Sequence, residues 1–283
     1  MAVIMDGKVA AQQADQEFAM RIQKLKQQNI IPGLAVILIG DDAASQVYVR
    51  NKARRARKIG INYQLHRLDR GITQEAVLQL ITQLNQDTQV DGIMVQMPVP
   101  KQIDANAVMN AILPQKDVDG FSFANIGRLW GNAAGNFPAT PRGVLRLLRD
   151  YHITIEGQQA VVVGRSDIVG KPMAGLLLKN NSTVTIAHSK TQNLAQVTQQ
   201  ADLLIVAIGQ AEFITADFVK PGAAVVDVGM NHNAAGKLVG DVDFKSVKQI
   251  AGYLTPVPGG VGPMTITGLL EQVIVLAEQR ATL

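Results

Sequence analysis

The stretch Ala160-Val161-Val162-Val163-Gly164-Arg165-Ser166-Asp167-Ile168-Val169-Gly170-Lys171-Pro172 decides how this chain folds. A short apolar run reads as a buried strand, glycine ends it, and a second glycine opens a helix. In a parallel α/β sheet such a turn brings backbone N–H groups and a helix N-terminus to a phosphate. The spacing departs from G-x-G-x-x-G, because Ser166 stands at the second glycine and the third comes one residue late. A triphosphate-binding loop is excluded: five residues separate Gly164 from Gly170 where four are needed, and Pro172 replaces the magnesium-holding hydroxyl. A strand-to-helix turn without a ligand is the bland alternative.

Outward from this turn the same rhythm continues. Strands are expected at Ala160–Val163, Thr183–Ala187, Leu203–Ala207 and Ala223–Val228, with helices near Val169–Lys179 and Asn193–Gln200. The segment after the second strand, Val184 to Thr191, holds His188, Ser189 and Lys190 but no carboxylate to bond a ribose 2′-hydroxyl. Neutral and basic donors there, with Arg165 in the first turn, suit a 2′-phosphate and favour NADP. Upstream, strands at Leu34–Ile39, Asn62–Leu68 and Gly92–Gln96 alternate with helices at Ala44–Ile59 and Thr73–Asn85, after an N-terminal helix around Val9–Gln28. The Gly-, Asn- and Pro-rich stretch Asn125–Pro141 reads as a connecting loop, followed by helices from Pro141 to about Tyr151 and from Pro263 to Arg280. The expected fold class is α/β: two lobes, each a mostly parallel sheet flanked by helices, the second Rossmann-like, with a cleft between. One lobe takes residues 1–138 and 264–283, the other 139–263.

Composition narrows the chemistry. The 283 residues are 47% hydrophobic and 18% charged, with net charge +4, as expected of a globular chain. Without cysteine, thiolate metal sites, cysteine nucleophiles and disulfides are excluded. The four histidines lack ligand spacing, so no metal is expected. No apolar stretch is expected to reach the length of a membrane span, and Met1–Ala10 lacks the form of a signal peptide, so a cytoplasmic location is expected.

The dense basic run Arg50–Lys58 divides when wound into a helix. Ser45, Tyr48 and Lys52 fall within about 60° of one another, while Arg50, Arg54, Arg57 and Lys58 take the opposite face. Four cations thus read as a solvated surface rather than a nucleic-acid site. Lys52 reads either as a lysine lying over apolar surface or as a proton-transfer group in a dry cleft. Gln96 ends a strand at the carboxyl edge where parallel sheets bind ligands. Asp117–Phe121 starts like a calcium loop but lacks the later ligands, so a plain turn is preferred. Thr255–Pro263 is either a connection or a backbone wall against a ligand.

Taken together, these pieces resemble the methylenetetrahydrofolate dehydrogenase/methenyltetrahydrofolate cyclohydrolase family. The matching segments are Ser45–Lys52, Asp91–Pro98, Lys116–Phe121, Pro138–Pro141, Val163–Pro172, His188–Thr191, Asp227–Gly229, Gly240–Val242 and Pro256–Thr265, in family order along nearly the whole chain. Ala139 stands where many members have cysteine, and Met264–Leu269 departs from the usual small-hydrophobic version. The resemblance implies NADP-dependent oxidation of 5,10-methylenetetrahydrofolate, then hydrolysis to 10-formyltetrahydrofolate, in one-carbon metabolism serving purine biosynthesis. It implies that Lys52 is the catalytic lysine supported by Gln96, that Tyr48 stacks on the aminobenzoate ring, and that Asp119 bonds the pterin. Ser45, Pro258, Gly259 and Gly260 fall on the folate side; Gly164, Arg165, Ser166, Ile168, Ser189 and Thr140 on the NADP side. The first lobe would be the folate-binding catalytic domain, the second the NADP-binding domain, and the protein a homodimer without nucleic-acid or membrane partners. Two rivals remain: a two-lobed dehydrogenase for another small substrate, such as an amino acid or shikimate, and a silent dinucleotide-binding regulator.

Overall fold

A computed structural model describes residues 1–282. In chain order the elements of the first half are β1 (Val3–Ile4), α1 (Gly7–Gln27), β2 (Gly33–Ile39), α2 (Ala43–Ile59), β3 (Asn62–Leu68), α3 (Gln74–Gln86), β4 (Gly92–Val95), α4 (Ala105–Ala111) and α5 (Phe123–Trp130). The second half brings α6 (Ala139–Asp150), β5 (Gln159–Val163), α7 (Gly170–Lys179), β6 (Thr183–Ala187), α8 (Leu194–Thr198), β7 (Leu203–Val206) and β8 (Ala224–Asp227). It closes with β9 (Asn231–His232), β10 (Leu238–Val239), α9 (Phe244–Val247), β11 (Tyr253–Leu254) and α10 (Val261–Arg280).

Two compact units result: Met1–Gln12 with Thr140–Gly268, and Gln13–Ala139 with Leu269–Leu283. The first twelve residues, expected in the first lobe, belong with the second sheet. Their β1 pairs in parallel with β11, so long-range strand pairing overrides position in the chain.

The smaller sheet has the parallel order β3-β2-β4. Its central strand β2 is buried at every position, which is why it reads as an unbroken apolar run. Helix α3 lays Val77, Ile81 and Leu84 onto this sheet at helical spacing. Helix α2 starts where the Asp42 carboxylate accepts the Ser45 N–H and stops at Gly60, whose φ of +98° is left-handed.

The larger sheet has the order β1-β11-β8-β7-β5-β6, with every pairing parallel. Both faces are covered. Ala160, Val162, Leu203, Ile205, Ala224 and Val226 enter one apolar cluster, and their alternating neighbours Val161, Val163, Leu204, Val206 and Val225 enter the other.

Two expectations need correction. The stretch from Asn125 is not all loop, because α5 occupies Phe123–Trp130. Ser122 caps it, and the buried Asn125 side chain donates to the Pro114 carbonyl (2.8 Å) and to Asp117 (3.0 Å). A residue type common in loops is here spent on tertiary bonds. Second, α10 is long and apolar enough to cross a membrane by length and composition. In this fold it is a core helix: Leu269, Leu270, Val273, Ile274 and Ala277 are buried. Near its end Arg280 is bonded to Asp91 at 2.7 Å, and Arg21 to Glu278 at 2.7 Å.

Candidate active site

In the unit built on β2, the middle of α2 and the end of β4 bring Lys52 and Gln96 together. Lys52 is only 7% exposed, whereas Arg50, Arg54, Arg57 and Lys58 are all exposed. The helical division of the basic run is therefore real. The Lys52 ammonium nitrogen donates to Gln96 Oε1 at 3.0 Å and lies 3.4 Å from Met94 Sδ. Gln96 is fixed in turn, its backbone N–H donating to the Ile37 carbonyl (2.8 Å) and its side-chain amide to the Met97 carbonyl (2.8 Å). That bond orients the amide so that its oxygen faces the lysine.

Burial lowers the Lys52 pKa, and the charge of Asp119 opposes the shift. Asp119 responds the other way: desolvation raises it to about 7, against the pull of Lys52 and with a further push from Asp117. A lysine with more of its amine neutral beside a carboxyl that titrates near neutrality can pass protons.

The turn that delivers Asp119 is built by Asp117. This buried carboxylate accepts the N–H groups of Gly120 and Ser122 (both 2.9 Å) and the Asn125 amide. Asp117 also bridges in parallel to Ile93 of β4, which carries the chain two residues on to Asp119 near the end of that strand. Gly120 is obligatory, with φ of +66° and room for no Cβ, which would come within 2.5 Å of the Asn136 carbonyl. Asp117 is thus the turn-former of the Asp-Val-Asp sequence. Tyr48, one turn before Lys52, is 39% exposed, while Ser45 is buried in the first turn of α2.

The other unit carries the remaining predicted residues at the carboxyl edge of the larger sheet. Gly164 (φ +132°) bonds its N–H to the Ala187 carbonyl (2.8 Å), and a Cβ there would lie 2.3 Å from the Ala207 carbonyl. A Cβ on Gly170 would come within 2.3 Å of the Gly164 carbonyl, so the second glycine lets α7 start directly on the turn. Ser166 Oγ accepts the N–H groups of Val169 and Gly170 (3.2 and 3.3 Å), holding the helix entrance. Arg165, Ser166 and Ile168 are exposed there, Ile168 unusually so for its type. At the end of β6, His188 and Thr191 close a turn with Ser189 exposed at its tip. Thr140 meets Thr265, hydroxyl to hydroxyl, at 3.0 Å. Glycine backbone, a helix N-terminus and a guanidinium together fit a dinucleotide phosphate.

Pro258, Gly259 and Gly260 belong to this unit as well. Their loop closes through a Gly260 N–H bond to the Pro256 carbonyl (2.8 Å), and Gly7 of α1 packs so closely that a Cβ there would lie 1.8 Å from the Gly260 carbonyl. Among the described residues, no cluster of His, Asp and Glu could hold a metal ion.

Sequence reasoning missed a second polar node. Asp227 and Asp241 are both buried, and neither stood out as more than part of a motif. Burial lifts the Asp227 pKa to about 7, against backbone N–H bonds from Asp241, Val242 and Gly229. Only the glycines beside each aspartate hinted at the close packing.

These observations define a two-unit α/β enzyme: a dinucleotide-binding unit, and a unit with a buried lysine–amide pair at the end of a parallel strand. Family models match in both units, as the tetrahydrofolate dehydrogenase/cyclohydrolase catalytic domain over residues 5–119 and the NAD(P)-binding domain of the same name over residues 138–281. The chain belongs to the tetrahydrofolate dehydrogenase/cyclohydrolase family. It is 53% identical to Bifunctional protein FolD of Streptococcus agalactiae over 96% of each chain. Its structure matches that of the bifunctional enzyme FolD from Campylobacter jejuni with a TM-score of 0.96 at 46% identity, covering 99% of this chain and 100% of that one. The dehydrogenase-cyclohydrolase of Trypanosoma brucei, solved with NADP and an inhibitor, matches with a TM-score of 0.92 at 35% identity, covering 99% and 98%. Membership removes both the silent regulator and the dehydrogenase for an unrelated substrate, and the second unit is an NAD(P)-binding domain.

Proposed function

We propose that this protein oxidises 5,10-methylenetetrahydrofolate to the methenyl form with NADP and then hydrolyses it to 10-formyltetrahydrofolate, Lys52 serving the proton transfers. The observation that carries the assignment of roles is the buried Lys52 amine held by Gln96 beside Asp119. The unit containing Lys52 is the folate-binding catalytic domain, and the unit containing Gly164 binds NADP. Gly164, Arg165, Ser166, Ile168, Ser189 and Thr140 hold the dinucleotide, with Arg165 and Ser189 on the 2′-phosphate. When bound, NADP supplies the acceptor for the hydride that the methylene carbon loses.

Lys52 takes a proton as water adds to the methenyl carbon, and delivers one to the ring nitrogen whose bond to that carbon breaks. Gln96 keeps the amine in place and, by accepting its hydrogen bond, biases its charge. Tyr48 offers a ring face to the aminobenzoate group, Ser45 contacts the folate from the same helix face, and Asp119 bonds the pterin. Pro258, Gly259 and Gly260 form a backbone wall on the folate. We also infer a cytoplasmic homodimer that supplies one-carbon units for purine biosynthesis.

One assay tests the catalytic reading: NADP-dependent appearance of the methenyl chromophore from methylenetetrahydrofolate, followed by its decay. Formation without enzyme-dependent decay would leave a dehydrogenase alone. No NADP-dependent formation would refute the reading.

A further inference from the structure

The two buried aspartates of the NADP-side unit have no part in the chemistry above, yet they are among its most highly connected side chains. Asp241 accepts the backbone N–H groups of Ile208 (2.7 Å), Gly209 (3.1 Å) and Gln210 (2.8 Å), the loop that follows β7. It also accepts the Asn231 side-chain amide at 2.8 Å. Asp227 accepts the N–H groups of Gly229 and Asp241 (both 2.9 Å) and of Val242 (3.0 Å). The backbone N–H of Asp227 donates to Thr255 Oγ1 at 2.7 Å, and Thr255 opens the loop that ends at Gly260.

The β9–β10 hairpin pairs Asn231 with Val239 and so returns Gly240-Asp241 beside Asp227. Two glycines make this approach possible. A Cβ on Gly240 would lie 1.8 Å from Asp227 Oδ2, and one on Gly229 would lie 2.4 Å from Asp241. The motifs Asp227-Val-Gly229 and Gly240-Asp241-Val242 are therefore two halves of one device, each glycine clearing space for the other's carboxylate.

At its near end the loop after β7 adjoins the glycine turn, since the Ala207 carbonyl is what excludes a side chain from Gly164. We propose that Asp227 and Asp241 are positioning residues: their buried carboxylates, with the Asp227 backbone N–H on Thr255, tie the loop Ile208–Gln210 to the loop Thr255–Gly260, so that NADP held at the glycine turn beside the first loop shapes the second for folate. This rests on the assignment given above of the glycine turn, which the first loop adjoins, to NADP and of Pro258–Gly260 to folate. Neither aspartate touches a reacting atom. Their effect is geometric, because loops without regular secondary structure hold a ligand-ready shape only when their N–H groups are fixed.

The test has a variant arm and a wild-type arm. In Asp241→Asn one acceptor oxygen becomes an N–H₂ group facing N–H donors, so a charge-assisted set is lost; such bonds are worth about tenfold or more each. The Michaelis constants for NADP and for methylenetetrahydrofolate should rise together by about tenfold, with kcat changing by less than about threefold. Thr255→Val removes the hydroxyl that holds the folate loop to Asp227 and keeps the Thr255 backbone bond to the Val225 carbonyl, so it should raise the folate constant and leave that for NADP nearly unchanged. A merely structural role would lower the active fraction and hence kcat, with both constants as in the wild type, and that result overturns the proposal.

The second arm covers an Asp241→Asn protein that fails to fold. In the wild type, adding NADP alone should slow amide exchange at Ile208–Gln210 and also at Val257, Gly259 and Gly260. Protection confined to the first loop overturns the coupling. Wild-type protein that does not turn over methylenetetrahydrofolate refutes the functional reading instead, and the exchange experiment still decides whether the loops are tied.

Discussion

Replacing Lys52 with methionine isolates the amine from everything else in its surroundings. Methionine fills nearly the same apolar space, and the side chain being replaced is 7% exposed, so little cavity is created. The change leaves Gln96 Oε1, which is only half-buried, without its 3.0 Å donor, a loss of about 0.5–1.5 kcal/mol. Against this, it removes an amine whose charged form burial disfavours. The two effects oppose each other, and the melting temperature should move by only a few degrees. Catalysis has no such compensation. A positioned acid–base group contributes about 10²–10⁴-fold, or roughly 3–5 kcal/mol of barrier. Hydrolysis of methenyltetrahydrofolate, followed as decay of its absorbance, should fall by that factor while NADP binding stays at the wild-type level.

The same variant carries a signature in stability against pH. The folded-state pKa of Lys52 lies below its ordinary 10.5, so between the two values the unfolded chain binds the extra proton. Wild-type stability therefore rises with pH across that window, and Lys52→Met loses the rise. Melts at several pH values would measure it. Hydrolysis within about threefold of wild type, by a protein with an intact melt, would refute the role given to Lys52.

Asp119→Asn should raise the Michaelis constant for folate without changing NADP affinity, to be read by titrating each ligand separately. The Asp119 pKa is about 7 in the fold against 3.8 ordinarily, so wild-type stability falls as pH rises between these values; the variant should be flatter there, and equal slopes would count against the shift. Arg165→Ala should raise the NADP constant by about tenfold and that for NAD little, since a charge-assisted bond to the 2′-phosphate is worth about that much. Parallel losses would put Arg165 on the shared pyrophosphate. Gly164→Ala should abolish dinucleotide binding, because φ of +132° and the Ala207 carbonyl leave its methyl no place; near-normal NADP titration would contradict this.

Sequence periodicity carried the core of each sheet. Strands buried on both faces leave unbroken apolar runs, as in Leu34–Ile39 and Ala160–Val163, and helix geometry alone separates Lys52 from its basic neighbours. The glycine turn was equally legible, since a left-handed φ and a close backbone approach select glycine at Gly164 and Gly170. Tertiary structure decided the rest. That β1 joins the second sheet depends on pairing with β11, some 250 residues away, which no local pattern encodes. The conversion of Asn125 from loop residue to buried helical node depends on carbonyls and carboxylates brought to it by folding. The support of Lys52 by Gln96 came from the family resemblance and from no local pattern, and Asp227 meets Asp241 only when separate segments pack together. Periodicity records which face of an element is dry, whereas the partner of a buried polar group is set by long-range contacts, and those exist only in the folded chain.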